Sequence, residues 1–570
     1  MNRRRDAEAR NGLARFFPIA GWLPHYDRAS LRPDLIAGVT VAALVVPKSL
    51  GYAGIAGVPI VNGLYAAAAG AILYALFGSS RQIATGPSSA LAAVAASALA
   101  ATGMTGGPEA VALVAAITLG SGVMYLLLAL LRMGWISQFL SRAVVTGFLF
   151  GAAVEVVVGE LPKITGTEAS GASSWRKFAD WIGSVGDADG TTLIVGLLAL
   201  VAILALRFTL PRVPGALVLV VGGLIAAVLF DLGDRGVALV GDVPGGMPSL
   251  ALPGMEFLTE NAAVILLASA ALLLIGFSQT AGDARAFATR HGYRVDIDQE
   301  SVAQGMANIG SGVLQGIPVS TSLSASSLND SAGARTPVAS LTTGAILVLT
   351  MVALAPLFSD LPKPVLSALI IDAVVFGMMD LPEMRRLRRV KRVDFWIAVA
   401  AIVGVLSVGV LTGVVVGVVL SLVWLVYVNA RPQTVELGRK PGTDVFWSVE
   451  EHPDAEVIPG VVVARFDGGI YFVTADGLED GLRAVIERRE DPLAAVVLSF
   501  EGVDFIDSQG SAKIGELLDL ADVGGFDVAF ARLKRSVRRV LAADGVVDRI
   551  GEDRIFGNIA EAVRAIEPRV

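Results

Sequence analysis

Apolar runs of about 18 or more residues recur along the first three quarters of this chain, each long enough to cross the hydrocarbon core of a bilayer. Val111–Leu131, Thr191–Leu206 and Phe395–Leu411 read as full spans, and other runs are short or broken by Pro and Gly. Backbone in lipid must satisfy its own polar groups, which leaves helices or a closed barrel. The runs are continuously apolar, without alternation, and this argues for helices. Composition agrees: 54% of the 570 residues are hydrophobic and only 17% are charged, less charge than a soluble domain carries. The chain reads as a polytopic α-helical membrane protein with about fourteen segments.

Composition changes near Arg431-Pro432. Beyond it, charges fall every few positions and apolar runs shorten to strand length. VVVARF and AAVVLSF read as buried strands, GLEDGLRAVIERR and SAKIGELLDLA as amphipathic helices. The expected division is an amino-terminal segment (1–33), a membrane domain (34–430) and a linker with a soluble α/β domain (431–570). Short-loop Lys and Arg set orientation. Arg3, Arg4 and Arg5 put the amino terminus in the cytoplasm, and the start MNRRRDAEARNGLARFF lacks the apolar core of a signal peptide. Arg132 and Arg142, Arg207 and Arg212, Arg285 and Arg290, and the run EMRRLRRVKRVD (Glu383–Asp394) then fall inside, while Lys163–Gly190 and Asp231–Asn261 lie outside. An even span count leaves the soluble domain cytoplasmic. There is no cysteine, and His25, His291 and His452 are far apart, which argues against thiolate chemistry and a His-rich metal site.

The third apolar segment opens IATGPSSALAAVAASALA (Ile83–Ala100) and the tenth opens GIPVSTSLSASSLND. Both carry Pro, then small hydroxyl residues, then a helix start, and each is third in its half of the chain. Paired interrupted helices at corresponding places point to a transporter's midplane site. A helix starting inside the membrane offers free N–H groups and a positive dipole end, so two such ends make an anion pocket. Ser88 and Ser89 at the first end, and Ser320, Thr321, Ser322 and Ser324 at the second, are the candidate ligands. The competing use of small residues is close packing, assigned to Gly413 and Gly417.

With these residues in view, the chain resembles the sulfate permease (SulP) family of anion transporters. The carriers of the resemblance are DLIAGVTVAALVVPKSLGYAGIAGVPIVNGLYAAAAGAILYALFGSSRQIATGPSSA (Asp34–Ala90), HGYRVDIDQE (His291–Glu300), GIPVS and AGARTP (Ala332–Pro337). The carboxy-terminal stretch VDFIDSQGSAKIGEL (Val503–Leu517) resembles a STAS domain. The resemblance implies a seven-plus-seven inverted repeat. A core (segments 1–4 and 8–11) moves like an elevator against a gate (5–7 and 12–14), and the anion sits between segments 3 and 10, near 1 and 8. Sulfate or bicarbonate is the favoured cargo, with a dicarboxylate or chloride as the alternative. The resemblance also implies a homodimer, no cofactor, and a place in the cytoplasmic membrane.

Several positions depart from the family pattern. Ala325 stands where an Arg is common, so the tenth segment lacks its fixed charge. Lys48 follows Pro47 in the first segment; either it snorkels to an interface or it faces the pocket beside Tyr52 and replaces that charge. In LLLIGFSQTAGDARAF (Leu272–Phe287), Gln279 stands where a carboxylate is frequent and Asp283 lies one turn on, on the same face. Asp283 is a handle for H+ or Na+, a partner for Lys48, or the cytoplasmic helix end. Glu155 in the fifth segment is a further coupling candidate, and Glu160 belongs to the outer interface.

In the soluble domain, Ser508 takes the place of a phosphorylatable Ser of STAS relatives, a regulatory candidate for a cytoplasmic partner; alternatively Asp507 or Ser508 caps the helix. The cluster RLKRSVRR (Arg532–Arg539) reads as a lipid or domain contact, or a solvated face. A membrane-embedded anion sensor signalling through this domain is the second functional class. Nothing points to an enzyme, a nucleotide-driven pump or nucleic-acid binding.

Overall fold

The computed structural model describes residues 17–566 except 105, 135–140, 170, 172, 211–212, 431–432 and 490. Arg3, Arg4, Arg5, Arg212 and the Arg431-Pro432 junction therefore lie outside the described residues. Two compact units result, one ending at Ser421 and one beginning at Leu422.

Fourteen membrane segments are found among the described residues, thirteen in the first unit and the last beginning there and running past Ser421. In the first half they are α1 (Leu31–Ile55), α2 (Val61–Phe77), the strand β1 (Thr85–Pro87) leading into α3 (Ser89–Thr102), α4 (Gly107–Leu130) and α5 (Arg142–Thr165). An amphipathic connector, α6 (Ser174–Ser184), then precedes α7 (Gly190–Thr209) and α8 (Gly215–Leu229). The second half repeats the plan: α9 (Ala262–His291), α10 (Ile297–Val313), β2 (Val319–Thr321) into α11 (Leu323–Ser331), α12 (Val338–Leu349) and α13 (Lys363–Met378). Its connector is α14 (Leu381–Val390), followed by α15 (Arg392–Val408) and α16 (Val410–Asn429). Among the described residues, eight helical stretches are long and apolar enough to span a membrane.

Packing sorts the segments into two bodies. In the core, α4 and α2 lie against α10, and α1 and α2 against α12; in the gate, α5 packs on α13 and α15, and α7 on α13. Small residues permit the close approaches: a Cβ on Gly63 would sit 1.9 Å from the Ser49 carbonyl oxygen, and one on Gly147 2.3 Å from that of Ala398. Gly413 and Gly417 do serve packing, against Val405 and Val144.

The expected span Phe395–Leu411 is cut short. α15 ends at Val408, Gly409 turns the chain at φ +102°, and α16 starts at Val410. Ser97 Oγ on α3 accepts from Leu411 N at 3.0 Å and so satisfies a donor of the new helix end. Pro47, by contrast, does not break α1, which runs through it.

Two of the signature motifs are clamps. Glu300, fully buried, accepts from Tyr74 Oη, from Ser79 N and Oγ, and from Ser80 N, holding the turn after α2. Asp34 accepts from Arg335 N at 2.7 Å and Thr336 Oγ1 at 2.6 Å, holding the turn after α11.

The second unit carries a six-stranded sheet ordered β4 (Phe446–Ser448), β3 (Gln433–Arg439), β5 (Val461–Asp467), β6 (Ala495–Ser499), β7 (Asp527–Ala531), β8 (Ile555–Phe556). The last four run parallel. Val461–Ala464 and Ala495–Leu498 are apolar in succession because both faces of the sheet are covered there. Helices α17 (Ala475–Glu487) and α18 (Ser508–Gly524) cover one face, and a helix over Ile559–Ile566 covers the other.

Candidate functional site

The two breaks meet. β1 and β2 pair antiparallel with Thr85 opposite Thr321, Gly86 opposite Ser320 and Pro87 opposite Val319. Ser322 N donates to Ala84 O at 3.0 Å, and Ala84 N donates to Ser326 Oγ at 2.9 Å. Irregular backbone inside a membrane protein needs such partners. Further ones come from α10: Asn308 Oδ1 accepts from Val319 N at 3.0 Å, while Gln304 and Asn308 amides donate to Val319 O. Gln304 and Asn308 were not read as site residues from the sequence. Their spacing of four on a membrane helix, which puts both amides on one face, was the available signal.

α3 and α11 both start at this miniature sheet, and a cavity of about 700 Å³ opens beside their amino-terminal ends. Ser88, at the N-cap of α3, makes no side-chain capping bond, so among the described residues the first turn of α3 has no capping side-chain acceptor. Ser322 caps α11 through Ala325 N at 3.3 Å and shares a hydrogen bond with Ser324 at 3.2 Å.

Lys48, Tyr52, Ser88, Ser89, Thr321, Ser322 and Ser324 all line this cavity. Lys48 Nζ donates to Ser324 Oγ at 3.4 Å, across 276 positions of sequence. That contact puts the ammonium next to Ala325, the position that lacks an Arg. Ser320 is placed differently: it is fully buried and its Oγ donates to Gly276 O at 3.4 Å, because alternate strand residues face opposite ways.

Gln279 and Asp283 line the same cavity from α9. Asp283 Oδ2 accepts from Thr321 Oγ1 at 2.8 Å. α9 continues two turns beyond Asp283 to His291, so Asp283 does not mark the helix end. Among the described residues no ion pair joins Lys48 to Asp283; each has its own hydroxyl partner. The side-chain oxygen of Gln279 is buried and without a hydrogen-bond partner among the described residues. Glu155 lies off the cavity wall, with its Oε2 buried and without a hydrogen-bond partner among the described residues. Glu160 accepts from Ser367 Oγ at 2.6 Å and pairs with Lys163 at 2.7 Å.

The gate wall of the cavity is the end of α13, Phe376–Met378, together with Arg142, Val145 and Leu149 of α5. Behind it, Arg207 holds Asp372 through two bonds of 2.7 and 2.6 Å and stacks over Phe376 at 4.3 Å. Read from sequence as a loop charge, Arg207 is a structural cation of the gate. In the second unit, Asp507 caps α18 through Gly510 N at 2.7 Å, and Ser508 is exposed in the first turn.

Two half-helices started from paired strands, in a seven-plus-seven inverted repeat, define a multi-pass membrane transporter. The sulfate permease family profile matches residues 31–401 and the STAS domain profile residues 452–562. The chain belongs to the sulfate permease family, whose members are named transporters and not enzymes. It is 33% identical to a "probable sulfate transporter" of Mycobacterium tuberculosis, over 96% of this chain and 99% of the relative. It is 29% identical to the chloroplastic sulfate transporter 4.1 of Arabidopsis thaliana, over 96% and 82%. The fold superposes on murine Slc26a9 in its inward-facing state with a TM-score of 0.88, at 21% identity over 97% of this chain and 94% of that one. The transmembrane domain of the cyanobacterial bicarbonate transporter BicA gives 0.60, at 20% identity over 70% and 98%.

Proposed function

We propose that this protein carries a small inorganic oxyanion, sulfate or bicarbonate, across the cytoplasmic membrane by elevator movement of the core against the gate. The observation that carries this reading is the Lys48–Ser324 contact in the cavity between two half-helix ends. An ammonium and the amides at the start of α3 donate, and the hydroxyls can donate too, which suits an anion whose oxygens accept. Lys48, Tyr52, Ser88, Ser89, Thr321, Ser322 and Ser324 are the proposed anion ligands, and Ser320 a support for β2. The names of the curated relatives favour sulfate, and that of BicA bicarbonate.

The domain division is 1–33, 34–430 and 431–570, with amino terminus and STAS domain cytoplasmic and the protein a homodimer. In that orientation Arg142 and Met378 sit at inner helix ends. The cavity reaches both, which supports an inward-open state.

Asp283 is the proposed coupling site for H+ or Na+. Gln279 and Thr321 supply neutral oxygens beside its carboxylate, a hard-oxygen set. Loading a cation there offsets the charge that a divalent anion brings beyond Lys48.

Uptake of labelled sulfate and of bicarbonate into proteoliposomes, with H+ and Na+ gradients imposed one at a time, tests this. Accumulation that follows one gradient identifies cargo and coupling ion. Binding without flux by correctly inserted protein turns the reading to the sensor, and flux of a dicarboxylate or chloride alone replaces the cargo.

A further inference from the structure

The connector α14 has no part in the transport cavity. It carries Arg385, Arg386, Arg388 and Arg389, followed at once by Lys391 and Arg392. Its one buried residue, Leu387, joins Ala143 and Ala398, with Met384 and Phe395 beside them, and so pins α14 to the starts of α5 and α15. Arg385 and Arg389, four residues apart, share the face opposite Leu387. All four arginines are exposed. Arg386 pairs with Glu383 at 2.7 Å, whereas among the described residues Arg385, Arg388 and Arg389 have no ion-pair partner. Exposed apolar side chains, Leu381, Val390 and Trp396, flank the row.

The equivalent connector of the first half, α6, is different. It exposes Trp175, Phe178 and Ile182 and carries Arg176 and Lys177 without an arginine row. An inverted repeat puts the two connectors at opposite faces of the membrane, so one face alone receives the cationic row.

We propose that α14 is a docking surface for the anionic headgroups of phospholipids and anchors the gate through them. An amphipathic helix with an apolar fringe lies in the interfacial plane. Planar guanidiniums match a phosphodiester geometrically as well as electrostatically. Only Met379 and Asp380 separate α14 from the Phe376–Met378 stretch on the cavity wall, so a headgroup held by α14 restrains the gate side of the cavity mouth. The lipid contact stands on α14 alone; its effect on flux rests on the transport reading.

The test uses the full chain reconstituted in phosphatidylcholine with phosphatidylglycerol, then re-extracted, with retained headgroups counted by mass spectrometry. Wild type should retain phosphatidylglycerol in excess of its share of the bilayer. The R385Q/R388Q/R389Q variant should lose that excess by about fivefold in affinity per arginine at low salt. The R385K/R388K/R389K variant should keep most of it, and R176Q/K177Q all of it. Equal retention by wild type and the Gln variant overturns the proposal. In flux assays, wild type should respond to added phosphatidylglycerol and the Gln variant should not; an unchanged response in the variant overturns the anchoring. If wild type moves no anion in any vesicle, the transport reading fails, and the retention measurement alone decides the lipid site.

Discussion

Lys48 and Ser324 lie 276 positions apart and meet at 3.4 Å, joining the first segment to the start of the tenth beside Ala325. On the proposed reading, Lys48 supplies from one helix the fixed positive charge that another lacks. Lys48→Ala should raise the anion KM by about 10-fold or more, the cost of losing a charge-assisted hydrogen bond. The discriminating variant is Lys48→Ala with Ala325→Arg, which should recover much of the lost affinity in a KM titration. No recovery would mean that Lys48 acts elsewhere.

Asp283 accepts from Thr321 and stands one turn from the unpartnered Gln279 oxygen. Asp283→Asn should abolish any cation-gradient dependence of uptake while leaving downhill anion flux measurable. Uptake that still follows the same gradient would remove Asp283 from the coupling role.

Arg207 and Asp372 fasten α7 to α13 within the gate. Asp372 is 9% exposed and Arg207 37%, so Arg207→Ala leaves a buried carboxylate unpaired at a cost of about 3 kcal/mol. Thermal unfolding in detergent should register it, and Asp372→Asn in the same chain should return part of the loss. If both single variants and the double variant melt as wild type does, the pair contributes no net stability.

In the second unit, the Arg483 and Lys513 partners hold the Glu479 carboxyl below its usual range, and Glu516, then Glu479 and Asp476, push the Lys513 ammonium up. A depressed carboxyl stabilises the fold above its unfolded pKa, about 4.3, and that contribution fades as pH falls through the folded value. A raised ammonium stabilises below its unfolded pKa, about 10.4, and fades only in strong alkali. The urea midpoint of the soluble unit expressed alone should therefore fall on the acid side first, and Glu479→Gln should flatten that limb. An unchanged acid limb in the variant would assign it to other carboxylates.

The segments and the soluble domain were legible because each rests on a local pattern. Val461–Ala464 and Ala495–Leu498 are short runs of apolar residues, and the breaks at Pro87 and Pro318 announce themselves. The pattern misled where one backbone angle decides, as at Gly409, which splits an otherwise continuous apolar run.

Length and apolar periodicity were sufficient for the membrane class, and the two Pro-plus-Ser stretches for where segments 3 and 10 are interrupted, since helix formation and its interruption depend on neighbours in the chain; the inverted repeat came from the family resemblance. Which side chains face the pocket was a tertiary matter. The pairing of Thr85 with Thr321 turns Ser320 away and Thr321 toward Asp283, and helix packing brings Lys48 to Ser324. The same packing lays Arg207 over the buried Asp372 and lines Gln304 and Asn308 up behind β2. These contacts join residues from different segments, and no local preference encodes a distance between two helices that only close packing of their small residues sets.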